Sequence, residues 1–261
     1  RTWSCIDSPL VSDEFVDEMR MRYGSSSNAF LVRVLGEFPL SDDNTIIPYF
    51  LVETAQQRDI EIADDTRMVW GLDVARFGSD ATALCKRQGP IVTELRSWRG
   101  LDLMQTTGRV VAEYEALQPS KRPVEILVDS IGVGSGVVDR LRELDLPVRG
   151  VNVSESPSMG ETYMNLRSEL WFKCKAWLED RSCKLPKDDQ LLAELTAIRY
   201  SFTSSGKMKA ESKDEMRRRG VGSPDLADAL CLTMASDAAT AQSGVFKSWR
   251  GELRRGLQGI A

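Results

Sequence analysis

Three aspartates stand where a carboxylate can do chemistry. Asp73 interrupts the apolar run VWGLDVARFGSDATAL (Val69–Leu84), Asp129 ends VEILVD, and Asp225 opens SPDLADAL, with Asp228 one turn further along the same helical face. An acid inside an apolar strand is costly to bury unless something cationic faces it. The chain has no histidine, which excludes His-based triads and His–metal ligation and leaves carboxylates as the natural ligands of a hard cation. Two strand carboxylates and a helix-borne third suit oxygen-liganded Mg²⁺ or Mn²⁺. Two such ions about 3.5–4 Å apart activate water and stabilise the leaving oxygen of a phosphodiester. Each acid also has a plainer role. Asp225 and Asp228 suit the dipole of a helix start, Asp129 suits a cap, and Asp80 is an ordinary turn residue. Only the combination points to a metal.

Two further motifs bear on this chemistry. Gly132-Val-Gly134-Ser-Gly136 follows a strand but lacks GxGxxG spacing, and no GxxxxGK[ST] occurs, so the chain carries no P-loop. A tight strand-to-helix turn is the simpler role, though such glycines also give a phosphate access to backbone N–H groups. Arg199, Lys207, Lys209, Lys213, Arg217, Arg218 and Arg219 lead directly into Asp225. Cations beside an acidic metal cluster suit the tracking of a DNA backbone; the alternative is a solvated basic face. A lysine beside the metals, as Lys213 would be, helps stabilise charge.

The elements that must position these residues follow from periodicity. Strands are predicted at 67–75, 81–87 and 91–98, the first two joined through Gly78, Ser79 and Asp80, the last two through Gly89-Pro90. A helix follows at 102–117, then a doubly buried strand at 124–129, a helix through Leu144 and a fifth strand at 147–153. This describes a mixed α/β sheet covered by helices. Thr162–Asp180 reads as an amphipathic helix whose aromatics belong to the core, and 191–195 as helical. Ala197–Thr203 and Lys207–Glu211 form a hairpin around Ser204-Ser205-Gly206, and a last helix runs from Pro224 to about Ala241. Residues 1–64 read as a linker with short helices at 11–23 and 50–58, the Ser25–Asn28 loop, Phe30–Phe38, the Pro-bounded Asp42–Pro48 and an acidic stretch at 59–65. Residues 65–241 form the main domain, and 242–261 a basic tail, mobile or a contact arm.

Composition sets the outer bounds. The 261 residues are 42% hydrophobic and 28% charged, as in ordinary globular proteins, and suffice for a sizeable core. The net charge of −5 argues against a uniformly basic nucleic-acid binder without excluding local basic patches. No apolar run approaches the roughly 20 residues of a membrane span, and no secretory signal is visible. Five scattered cysteines without a CxxC read as buried thiols of a reducing compartment. A chain that begins with Arg1 reads as a fragment of a longer polypeptide.

Several blocks together resemble the C-terminal nuclease domain of the large terminase subunit of tailed bacteriophages. They are Tyr23–Pro39 with its RVLGEFP, GLDVARFGSDATAL, VDSIGVGSGVVDRL, NLRSELW (Asn165–Trp171) and, most specific, ESKDEMRRRGVGSPDLADAL (Glu211–Leu230). The resemblance implies an RNase H-like fold with catalytic, metal-ligating aspartates at Asp73, Asp129 and Asp225. Asp228 is an added candidate ligand and Asp80 an auxiliary one; where many relatives have two adjacent acids, this chain has Pro224-Asp225. It further implies two divalent ions and no nucleotide in this fragment. The activity would be endonucleolytic cutting of concatemeric double-stranded DNA at the start and end of packaging, in the host bacterial cytoplasm at the procapsid portal. The implied partners are DNA, an N-terminal ATPase domain of the same polypeptide, the portal protein and the small terminase subunit, with no membrane. Residues 1–64 would then be the end of the ATPase domain and its linker. Two other readings stay open: an RNase H-related or actin-like nucleotide-binding module, and a non-catalytic motor-docking domain with structural acids.

Overall fold

The computed structural model describes residues 4–23, 30–37, 44–75 and 80–237. The Gly78-Ser79 part of the first turn, the Ser25–Asn28 loop, the far end of the last predicted helix and the basic tail lie outside them. The first 64 residues supply α1 (Asp13–Tyr23), one π-helical turn (Leu31–Leu35) and α2 (Tyr49–Gln57). Their apolar residues, among them Ile46, Ile47 and Val52, join the main core rather than a separate one.

A five-stranded sheet forms the centre: β1 (Met68–Asp73), β2 (Thr82–Gln88), β3 (Ile91–Trp98), β4 (Glu125–Asp129) and β5 (Val148–Val151), in the order β3-β2-β1-β4-β5. β1, β2 and β3 pair antiparallel, while β4 and β5 run parallel to β1. This mixed sheet is the RNase H-like arrangement that the motif blocks imply. The parallel pairing has a direct consequence. Leu72 stands opposite Val128, so Asp73 and Asp129 end neighbouring strands at the same edge, where open α/β sheets place their sites.

The faces of the sheet are covered unequally. Trp70, Leu72, Leu84, Ile126 and Val128 pack on one side against α3 (Leu103–Glu115) and α4 (Val133–Glu143) through Val110, Val137, Val138 and Leu141. The other face receives α5 (Leu166–Glu179), α6 (Asp189–Ala197) and α8 (Asp225–Leu232) in a larger core. Between α6 and α8 the chain forms the hairpin β6 (Tyr200–Phe202) and β7 (Met208–Ala210), then α7 (Lys213–Arg218).

Gly71 explains how α8 comes so near. It shares a face with Asp73, two residues on, and a Cβ at this position would stand 2.0 Å from the carbonyl oxygen of Ala229. A side chain on Gly71 would push away the helix that carries the third acid.

Two helix boundaries differ clearly from the sequence expectation, and one helix is added to it. α5 begins at Leu166, not Thr162, because the Asn165 side chain accepts from the Ser168 N–H at 2.9 Å and caps the helix there. The preceding residues instead pair with β7: Met164 N donates to Met208 O, and Met208 N to Thr162 O. The last helix stops at Leu232 and tightens into a 3₁₀ turn through Ala235. The sequence reading has no helix at 213–218. It forms from a capping box in which the Ser212 and Glu215 side chains each accept the other's backbone N–H.

Candidate active site

The carboxyl ends of β1 and β4, the start of α7 and one face of α5 and α8 enclose a cavity of about 510 Å³ lined by Asp73, Asp129, Asp228, Arg167 and Lys213. Asp73 is 5% exposed and Asp228 9%, so the cluster is largely withdrawn from water. Its geometry is organised by one cation. Lys213 is delivered by the capping box at the first position of α7, and its Nζ lies 2.7 Å from Asp73 Oδ2, 3.2 Å from Asp225 Oδ1 and 3.6 Å from Asp228 Oδ2.

The acids are held differently. Burial pushes the Asp73 carboxyl up to about 7, against the pull of Lys213 and with the added repulsion of Asp228 and Asp225. Burial also raises Asp129, opposed by the Ile131 N–H that its Oδ1 accepts at 3.1 Å. Burial acts on Asp228 in the same sense, but Arg167 and Lys213 outweigh it and hold the group below the usual carboxylate range. Arg167 Nη2 lies 3.1 and 3.2 Å from the two Asp228 oxygens, and Trp171 Nε1 donates to Oδ1 at 2.8 Å. Burial lowers the affinity of Lys213 for its proton, yet Asp73, Asp228 and Asp225 raise it further, so the ammonium stays charged.

The structure gives Asp225 and Asp228 unequal places. Asp228 lines the cavity with Asp73 and Asp129. Asp225 stands beside it: Oδ2 accepts the Ala81 N–H at 2.7 Å, and Oδ1 accepts from Ser223 Oγ and Lys213. It therefore ties the start of α8 to the start of β2. Pro224 sits one residue before the helix as its N-cap position, not inside the first turn. Asp80 pairs with Arg217.

The basic stretch divides as well. Lys213 belongs to the acids, and Lys209 lines the cavity while pairing with Glu215 at 2.9 Å. Arg219 is turned inward, bound to Glu211 and to the carbonyl of Ala197. Arg217 is shared between Asp80 and Asp214. Lys207 and Arg218 form no ion pair among the described residues. Sequence reasoning missed Arg167 and Trp171 as site residues. Their spacing of four on one helix face was visible, but nothing local says that an acid 57 to 61 residues away sits above them.

As the side chains lie, no three acidic or thiol groups among the described residues are close enough to share one ion. The donor set nevertheless suits a hard divalent cation. It consists entirely of oxygens, it is buried, and its anions outnumber its cations.

No family model matches the chain. It is 25% identical over 247 residues to a probable terminase large subunit of Enterobacteria phage P7, covering 88% of this chain and 49% of the relative. The chain thus spans about half the length of the curated relative it matches. In fold it is similar to the nuclease domain of the large terminase subunit gp2 of bacterial virus Sf6, with a TM-score of 0.62 and 22% identity over 73% of this chain and 98% of that one. Another Sf6 structure of a lysine-to-alanine mutant contains manganese and β-thujaplicinol. The large terminase nuclease of thermophilic phage G20c with bound magnesium matches with a TM-score of 0.56 and 17% identity, covering 74% and 97%. The chain is thus similar in sequence to a bacteriophage large terminase subunit and in fold to the nuclease domains of two others.

Proposed function

We propose that the chain carries the endonuclease of a phage DNA-packaging terminase and hydrolyses phosphodiester bonds of double-stranded DNA with divalent ions. The observation that carries this reading is the convergence of Asp73, Asp129 and Asp228 on one cavity, with more anionic than cationic groups. These three are the proposed ligands, and Asp225 is a positioning residue that also touches Lys213. When bound, two Mg²⁺ or Mn²⁺ ions would supply an activated water and neutralise charge on the scissile phosphate.

The chain's own residues do the rest. Arg167 and Trp171 fix the rotamer of Asp228 and keep it ionised, as an outer layer does for a ligand. Lys213 stands where a cation shared by Asp73 and Asp228 would stand. Its flexible stem lets the ammonium withdraw toward a phosphate oxygen when the acids take another partner. Packaging of concatemeric DNA, docking at the portal, and association with an ATPase domain and a small subunit belong to the same proposal. The motif blocks suggest them, and the similar probable terminase large subunit is roughly twice as long. Among the described residues no helix is long and apolar enough to cross a membrane.

Plasmid cleavage with Mn²⁺ or Mg²⁺ tests the reading. Wild type is expected to cut, and both Asp73→Ala and a chelator to stop it. Cutting that survives Asp73→Ala would sink the assignment. Thermal stabilisation by ATP and not by Mn²⁺ would favour a nucleotide-binding module instead.

A further inference from the structure

We propose that the β6–β7 ribbon is a DNA-groove contact. It enters a groove of the duplex lying over the carboxylate cavity, with Phe202 packed on the nucleotides and Lys207 on a phosphate. The inference rests on the nuclease reading above.

Phe202 is 66% exposed, although it stands on a braced strand. Its ring is held at 5.7 Å by Tyr200, which meets Phe172 at 5.5 Å, which meets Tyr163 at 5.3 Å. The base of the ribbon is fixed by the paired bonds of Met208 to Thr162 and Met164. An aromatic ring anchored through three others but open to solvent is preorganised for a contact outside the chain.

Register decides what surrounds the ring. Phe202 stands opposite Met208, and Ala210, which lines the carboxylate cavity, is two residues along β7 or roughly 7 Å away. Alternation puts Ser201, Lys207 and Lys209 on the opposite face of the ribbon, where Lys209 also reaches the cavity. The turn Thr203–Gly206 is small and hydroxyl-rich. A narrow two-stranded ribbon with a polar tip, a lysine outside any ion pair and one exposed ring is shaped and charged for a nucleic-acid groove, whose width admits such a ribbon. A protein partner would call for a broader apolar patch with charges excluded from its centre.

The test compares wild type, Phe202→Ala, Phe202→Trp and Lys207→Gln in Mn²⁺-dependent duplex cleavage, with thermal melts as a folding control. Phe202→Ala is expected to raise KM about tenfold, the low end of what burying one aromatic ring contributes, with kcat within about twofold and the melting temperature unchanged. Phe202→Trp should restore KM. Lys207→Gln should lower the salt slope of binding by about one phosphate contact. An unchanged KM in Phe202→Ala, with wild type cutting normally, overturns the ribbon proposal and leaves the nuclease reading intact. If wild type does not cut, anisotropy of a short labelled duplex decides. Binding that Phe202→Ala weakens supports the ribbon while the nuclease reading fails, and absence of binding by wild type overturns both.

Discussion

Lys86 and Asp73 lie on opposite faces of the central sheet, each buried and each held by opposite charge. Lys86, 5% exposed, reaches Glu94 at 2.6 Å and Glu113 at 2.5 Å, and stands 5.1 Å over the Trp70 ring. Arg96 binds the same two glutamates. Two cations therefore face two anions, and the group is complete within the fold. Around Asp73 the count differs. Among the described residues, Asp73, Asp129, Asp225 and Asp228 face Lys213 and Arg167, while Lys209, which also lines the cavity, pairs with Glu215. The balanced cluster braces α3 against the sheet. The unbalanced one, with Asp73 raised to about 7 by burial, is a place where a further cation lowers the free energy. Burial alone does not separate a site from a brace; the surplus of charge does.

The sharpest way to break this contrast is to remove one acid from the surplus. Asp73→Ala should reduce Mn²⁺-dependent cleavage by at least about a hundredfold, since even outer-layer partners of a metal cost 10–100-fold. Lys86→Met should leave cleavage within a few-fold of wild type. Its cost falls on stability, about 1–3 kcal/mol of unfolding free energy in a denaturant melt, below the range for a fully buried pair because Glu94 and Glu113 remain partly exposed. Equal effects of the two variants on turnover would erase the distinction.

Within the acidic cluster, Asp228→Asn is expected to match Asp73→Ala, whereas Asp225→Asn should lose about tenfold, the lower end of what a supporting hydrogen-bond partner costs. The reverse ranking would return the third ligand to Asp225. The smallest effect is thermal. Asp73 has an ordinary pKa of 3.8 and about 7 in the fold. Because the folded value is raised, its contribution to stability is complete below about pH 3.8 and is lost as pH rises through about 7. Metal-free protein should therefore melt lower at about pH 8 than at about pH 5, and added Mn²⁺ should stabilise it more at the higher pH. Asp73→Asn should reduce both trends, leaving the part due to Glu194, which burial raises to about 8, as followed by circular dichroism.

What the sequence by itself determined is local. An acid in an apolar strand, a second at the end of VEILVD and the turn chemistry between strands placed Asp73 and Asp129 on one edge of a mixed sheet. These signals act over a few residues, through alternation, capping and burial, and nothing distant overrides them. Only the tertiary structure separated Asp228 from Asp225, since both sit on the first turn of α8 and differ in what faces them: Arg167 and Trp171 of α5 for one, the Ala81 amide for the other. It also drew Lys213 out of a basic stretch and into the acids, 140 residues from Asp73 along the chain, while binding Arg219 inward to Glu211. A side chain's charge is written in the sequence; the partner that decides whether it binds DNA, a metal or its own fold is chosen by packing between elements far apart in the chain.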